Sequence, residues 1–285
     1  MTTLASPLVI HHATPLDWTR AQKWAQDEQW DLGKDDARHF FAVDPKGFFL
    51  GDFEHQAVAA ISVANFDSHY AHLGHYLVDP AWRGKGLGLQ LWQAAIKHAG
   101  ERCIGLDGMP EQVNNYQRSG FVTHYRTLRI SGHPQLRPKS ETVYFPVDAG
   151  MLTQLIEWDS TIVGYSRSQL LSNWFSGAGR WGFWSQDDRG INGMIGIRQS
   201  DAGYRIGPLH AANPEVMTGL VAAALSVIPP TGCVTLDVPD YAEEMVQLCQ
   251  DLGLQVLFHT HRMYRGTPPQ SEPGLIKALA SLELG

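Results

Sequence analysis

The chain has 285 residues, 44% of them hydrophobic and 18% charged, with a formal net charge of −7; that length suits one large domain or two ordinary ones, and the composition excludes disorder. Residues 1–140 carry 14 Lys+Arg against 14 Asp+Glu, and residues 141–285 carry 8 against 15, so the excess negative charge sits in the second half. Nucleic acid is excluded as a partner, because phosphate backbones demand clustered Lys/Arg, and any phosphate site belongs to the first half.

The chain opens without the basic stretch of a secretory leader (Met1–Ser6), and apolar runs such as residues 57–64 are less than half of the roughly 18 residues that a membrane span needs, so a cytoplasmic protein is expected. A strand at residues 8–10 precedes an amphipathic helix at residues 16–30, with Trp18, Trp24 and Trp30 assigned to the core. A meander follows: strands at 48–53, 57–64 and 71–78, the last ending at Asp79-Pro80. The Gly-rich, basic run Arg83-Gly84-Lys85-Gly86-Leu87-Gly88 then feeds a helix that reaches about His98. A strand at 103–107, a helix at 111–119 and strands near Phe121 and at 125–130 complete the unit.

Residues 132–148 are polar and carry prolines, and they divide a first domain, 1–140, from a second, 141–285. The second contains a strand ending Tyr204-Arg205-Ile206-Gly207-Pro208, an Ala-rich helix at 216–228, a strand at 233–237 and a helix at 241–252. The order repeats that of the first. Cys103-Ile104-Gly105-Leu106-Asp107 begins 23 residues after Pro80, and Cys233-Val234-Thr235-Leu236-Asp237 begins 25 after Pro208; a recurrence of this kind points to a tandem duplication. Three scattered cysteines, Cys103, Cys233 and Cys249, build neither a disulfide framework nor a metal clip and read as reduced thiols in the core.

Alternating glycines before a helix let backbone N–H groups turn inward as a nest, with the helix N-terminus adding partial positive charge and Arg83 and Lys85 adding full charges; such a loop suits a pyrophosphate. The dinucleotide pattern GxGxxG fails because Leu89 stands where a glycine is required, and GxxxxGK[ST] fails because Gly86 follows Lys85. The second half has His210-Ala211-Ala212-Asn213-Pro214-Glu215 after its strand, with neither glycine nor cation. Only the first half is built for phosphate.

The run Val78-Asp79-Pro80-Ala81-Trp82-Arg83-Gly84-Lys85-Gly86-Leu87-Gly88 resembles the acyl-CoA signature of the GNAT acetyltransferase superfamily, and Asn115-Tyr116-Gln117-Arg118-Ser119-Gly120-Phe121 resembles its Y-x-x-x-G-F element. Gly105-Leu106-Asp107-Gly108-Met109, Ile206-Gly207-Pro208-Leu209, Leu236-Asp237-Val238-Pro239, Arg262-Met263-Tyr264 and Glu283-Leu284-Gly285 are similar to signposts of a bacterial branch with tandem GNAT domains. The resemblance implies an α/β (α+β) chain of two GNAT-like domains, each a mixed, largely antiparallel sheet splayed in its middle, with acetyl-CoA as cosubstrate in the splay and no metal. It also implies that backbone groups of Leu77 and Val78 hold the pantetheine arm, that Arg83, Gly84, Lys85, Gly86, Leu87 and Gly88 take the pyrophosphate, that Asn115 contacts the cofactor, and that Tyr116 is the general acid on the thiolate.

The second half has Cys249 where the tyrosine would stand. The general base is left open between His75, nearest the cofactor, Asp107, on the adjacent strand, and a water relay or free-base substrate. On an alternating strand His72 faces away from His69 and His75, and the ends of that trio are roughly 20 Å apart, which excludes a shared metal. Trp174-Phe175, Trp181, Phe183 and Trp184 are assigned to core packing, with a pocket wall that stacks on a substrate as the alternative, and the acidity of the second half to solubility or attraction of a cationic amine. The expectation is an acetyl-CoA-dependent N-acetyltransferase acting on a small-molecule or peptide amine, as a monomer or homodimer, with an acyl-CoA-binding sensor as the alternative.

Overall fold

The computed structural model describes residues 7–138 and 142–285; the expected boundary at 140 and the leader reading at Met1–Ser6 fall outside them. In the first half β1 (Val9–His12), α1 (Thr19–Asp27), α2 (Asp36–Val43), β2 (Phe48–Phe53), β3 (Gln56–Asn65), β4 (Tyr70–Val78), α3 (Leu87–Ala95), β5 (Cys103–Gly108), α4 (Val113–Arg118) and β6 (Val122–Gly132) follow one another. The second half supplies β7 (Phe145–Pro146), α5 (Ala149–Val163), α6 (Ser168–Leu171), β8 (Arg180–Asp187), β9 (Gly190–Gln199), β10 (Tyr204–Ala211), α7 (Pro214–Ser226), β11 (Val234–Pro239), α8 (Glu243–Asp251), β12 (Gln255–Arg265) and β13 (Ile276–Ala278).

Local chemistry explains the main boundaries. β3 is buried on both faces from Val58 to Ala64, which is why it reads as a continuous apolar run rather than an alternating one. Asp148 caps α5 by accepting from the Gly150 and Met151 N–H groups, and Gly164 ends it in the left-handed conformation. The helix expected at residues 16–30 is shorter. Beyond Asp27 the chain turns through Gln29 at φ 59°, and Trp30 leaves the helix instead of extending its apolar face.

One 13-stranded sheet runs through both halves, in the order β1-β2-β3-β4-β5-β12-β6-β11-β10-β9-β8-β7, with β13 beside β10. Among the described residues the sheets of the two halves are joined edge to edge into this one. The final long strand of each half crosses to the other, so β5 pairs with β12 and β11 pairs with β6. The registers are reciprocal. Asp107 lies opposite Arg262 and Asp237 opposite Arg129, and each aspartate takes two guanidinium hydrogen bonds from the arginine of the other half, at 3.0 and 2.6 Å for Asp107 and 2.8 and 3.0 Å for Asp237.

The repeat is therefore aligned by these pairs, and Pro80 and Pro208 are not equivalent. Tyr70, Ala71 and His72 pair with Cys103, Ile104 and Gly105 as Tyr204, Arg205 and Ile206 pair with Val234, Thr235 and Leu236. Pro208 consequently sits within β10, at an irregularity matching the one in β4, whereas Pro80 opens the 3-10 turn beyond β4. The register irregularity in β4, with His75 at φ 48°, also interrupts the alternation expected to set His72 against His75; both are buried.

One core lies between the first half's sheet and α3, and another between the second half's sheet and α7 and α8. A third joins the halves, with Trp18, Phe40 and Phe48 packed in one cluster with Leu155, Leu170, Trp174, Phe175 and Trp184. The aromatic stretch of the second half thus fills core, with Trp181 and Phe183 partly buried against the second half's cluster. Cys103 and Cys249 are buried, while Cys233 is partly exposed; all three are free thiols.

Candidate active site

Pairing of β4 with β5 stops at His72 opposite Gly105, and the strands diverge beyond it. A cleft of about 720 Å³ opens in the splay, lined by residues 73–78 of β4, by Leu106 and Asp107 of β5, by the loop after the 3-10 turn and by Tyr116. This volume is in the usual range for small-molecule sites.

At one end the glycines divide their tasks. Gly84 and Gly86 adopt φ 75° and 78° with open space where a Cβ would stand, so they are required for the turn, and Gly86 caps α3. Gly88 serves contact instead: a Cβ there would come within 2.7 Å of the Tyr76 hydroxyl and 2.8 Å of Val78 Cγ2, so α3 can lie against β4. Arg83 donates its Nε to the Val78 carbonyl at 2.9 Å and pairs with Glu28. Arg83, Gly84, Gly86, Leu87 and Gly88 line the cleft, as do Leu77 and Val78. Lys85 and Asn115 are not among the lining residues. The Lys85 ammonium stands 4.2 Å from the Trp82 ring centroid, and the exposed Asn115 donates to Gln112.

Tyr116 enters from α4, stacked on Trp92 with ring centroids 5.5 Å apart and edge-on to Phe121. A Cβ on Gly108 would collide with its ring at 2.5 Å, so that glycine makes room for the phenol. Burial pushes the Tyr116 hydroxyl above its ordinary range, and it stays protonated and able to donate at neutral pH.

The two base candidates part ways. His75 lines the cleft, with Nδ1 2.9 Å from the Ser62 hydroxyl and Trp18 and Phe40 rings around it; burial holds its imidazole down at about 4, so it is neutral at physiological pH. Asp107 also borders the cleft, but its side chain is fully buried and both oxygens are engaged, one by Thr127 and Thr260, the other by Arg262. Burial pushes its carboxyl up, against the pull of Arg262. Its geometry is that of a latch between the halves.

The matching splay of the second half is filled by the chain itself. β13 pairs with β10 at Leu209 opposite Ala278 and His210 opposite Ile276, and the Leu279 N–H donates to the Asp237 carbonyl of β11 at 2.8 Å. The segment then runs on to the first half's cleft. Asp159, Tyr165 and Arg167 belong to the surroundings that anchor it. Arg167 pairs with Asp159 and donates to the Gly285 carbonyl at 3.1 Å, and a Cβ on Gly285 would lie 3.0 Å from the Tyr165 hydroxyl. Arg167 and His210 hold the Asp159 carboxyl down at about 2 although burial opposes them.

Sequence reasoning missed the far wall of the cleft: Trp30, Arg129, Phe258, Thr260, Leu282 and Glu283. These residues come from four separate stretches of chain, and no local pattern marks them. Glu283 alone carried a signal, as part of a noted terminal motif. Among the described residues no group of three or more His, Cys, Asp or Glu is placed to hold a metal ion.

Residues 11–121 match the model of the acetyltransferase (GNAT) family, and residues 155–276 that of an acetyltransferase (GNAT) domain. The chain is 44% identical over 269 residues to a holothin acyltransferase of Pseudoalteromonas sp. (strain SANK 73390), covering 94% of this chain and 92% of that one. In fold it is similar to a putative acetyltransferase from Pyrococcus horikoshii, with a TM-score of 0.83 and 18% identity over 98% of this chain and 96% of that one. It is also similar to a tandem GNAT protein from the clavulanic acid biosynthesis pathway, with a TM-score of 0.61 and 15% identity over 92% and 99% of the two chains.

Proposed function

This chain belongs to the GNAT family of tandem-domain acyltransferases, and from that premise we propose that it transfers an acetyl group from acetyl-CoA to a primary amine of a small molecule. The observation that carries this reading is the splay between β4 and β5, which joins the glycine loop, the free backbone edge of β4 and the Tyr116 phenol in one cleft.

The residues fit the cosubstrate by their chemistry. The Gly84–Gly86 turn and the N-terminus of α3 offer N–H groups and partial positive charge to a pyrophosphate, with Arg83 adding a full charge. Beyond the β4 irregularity the strand edge faces the cleft rather than β5, which leaves main-chain groups near Leu77 for the amide-bearing pantetheine arm. Acetyl-CoA supplies the thioester; the protein aligns it with the amine, and the amine nitrogen bonds to the carbonyl carbon as the carbon–sulfur bond breaks. Tyr116 gives its proton to the departing sulfur and is restored by the proton that the nitrogen loses.

The amine enters from the wall built by Trp30, Phe258, Thr260 and Glu283. Because the 44% identical relative is named for holothin, holothin belongs in the first acceptor panel. The test incubates the protein with acetyl-CoA and that panel and follows free thiol. Acceptor-dependent release is expected; tight CoA binding with no release across the panel would favour a sensor instead.

A further inference from the structure

Glu283 lines the acceptor end of the cleft, is 4% exposed, and carries a buried Oε2 with no hydrogen-bond partner among the described residues. Buried carboxylate oxygens are rarely left so, since desolvation without a donor is costly. Its other oxygen lies 3.9 Å from Arg129 Nη2, beyond hydrogen-bond distance, and Arg129 is already committed to Asp237 and to the Trp30 carbonyl. Arg129 therefore sets a positive potential near Glu283 without satisfying it.

The position of this side chain is held from its backbone. The Ser281 hydroxyl accepts from the N–H groups of Glu283 and Leu284 at 3.2 and 3.1 Å. His72 Nε2 is 3.3 Å from the Leu282 carbonyl, and Arg167 holds Gly285. The Glu283 carbonyl lies so close to Gly74 that a Cβ there would meet it at 2.1 Å, which pins the segment across β4 just where the strand leaves β5. An anchored carboxylate with one free, buried oxygen thus stands beside the strand edge that the thioester is proposed to follow.

We propose that Glu283 receives the acceptor amine, binding its ammonium form through Oε2 and taking the proton that the nitrogen must lose before it attacks. This rests on the acetyltransferase reading above. The proton passes from nitrogen to Glu283 and then to solvent; the remaining transfer is as described, so each turnover yields amide, free thiol and one released proton. The half of the chain that closed its own splay supplies, from the end of the closing segment, the group that completes the first.

The experiment compares wild type with E283Q and E283D, measuring acetyl-CoA binding and kcat and KM for an alkyl amine and for an aromatic amine that is uncharged at neutral pH. With E283Q, kcat/KM for the alkyl amine is expected to fall about 10²–10⁴-fold, with the aromatic amine losing less and CoA affinity unchanged. Equal losses for both amines, or unchanged alkyl-amine kinetics, overturn the assignment while leaving the acetyltransferase intact. A wild type that releases no thiol with any amine overturns the underlying reading and the assignment with it. Should E283Q not fold, E283D decides: it keeps the charge and withdraws it by one methylene, so a selective alkyl-amine defect supports the role and wild-type kinetics refute it.

Discussion

Replacing Asp107 with alanine removes the acceptor of four hydrogen bonds in one step, from Thr127, Thr260, and Nε and Nη2 of Arg262. The Arg262 guanidinium, itself 3% exposed, is then left charged in the core on the strand that crosses between the halves. Deleting one partner of a buried pair costs about 3–5 kcal/mol because the survivor is uncompensated. At roughly 2 °C per kcal/mol for a chain of this size, Tm should fall by about 6–10 °C. Removing both charges, as D107A/R262M, should recover most of that loss, since a buried pair contributes little net of its desolvation. Thermal and denaturant unfolding of the two singles and the double form the cycle, and thiol release on the double gives the catalytic readout. If the double is as unstable as the sum of the singles, the latch argument fails. If the double is stable yet without turnover, Asp107 takes part in the chemistry after all.

Tyr116→Phe keeps the ring packing against Trp92 and removes only the donor; CoA affinity should hold while kcat drops about 10²–10⁴-fold, measured by steady-state kinetics and calorimetry. Calorimetric titration with CoA should saturate at one site per chain, because β13 occupies the second splay; two sites would mean that the segment is displaced. Below about pH 6.5 the unfolded chain binds a proton at His75 that the native state refuses until about 4, so this group lowers stability as pH falls through that window. His39 is likewise held down at about 4 by burial and adds to the same slope. His75→Asn, which keeps a polar partner for Ser62, should flatten the decline in unfolding midpoint between pH 6.5 and 4 and leave turnover near neutral pH with no loss of an acid limb.

Much of the architecture was legible because it is written in local pattern. The strands at 48–53 and 103–107 and the turn-to-helix run from Arg83 each follow from a few consecutive residues, and the glycine loop could be tested by spacing. Helix α2, strands β8 and β9 and the closing strand β13 lacked a pattern strong enough to register. Trp30 shows a second kind of loss. Its spacing from Trp18 and Trp24 fits a helical apolar face, but the chain leaves the helix before reaching it, and the ring lines the cleft instead.

Sequence alone determined most elements of the first half and the recurrence of their order in the second, and marked the Arg83–Gly88 run and Tyr116 as candidates, since these rest on short stretches of consecutive residues. Tertiary structure decided that the two halves share one sheet, that Asp107 and Asp237 are locked to arginines of the opposite half, and that the second splay is filled by β13. It also decided which carboxylate stands free. Asp107 and Glu283 both reach the cleft, and only packing between separate stretches of chain leaves the first engaged by Thr127, Thr260 and Arg262 and the second with an oxygen to offer. Hydrogen-bond saturation in a buried site is set by neighbours in space, and no window of sequence contains them.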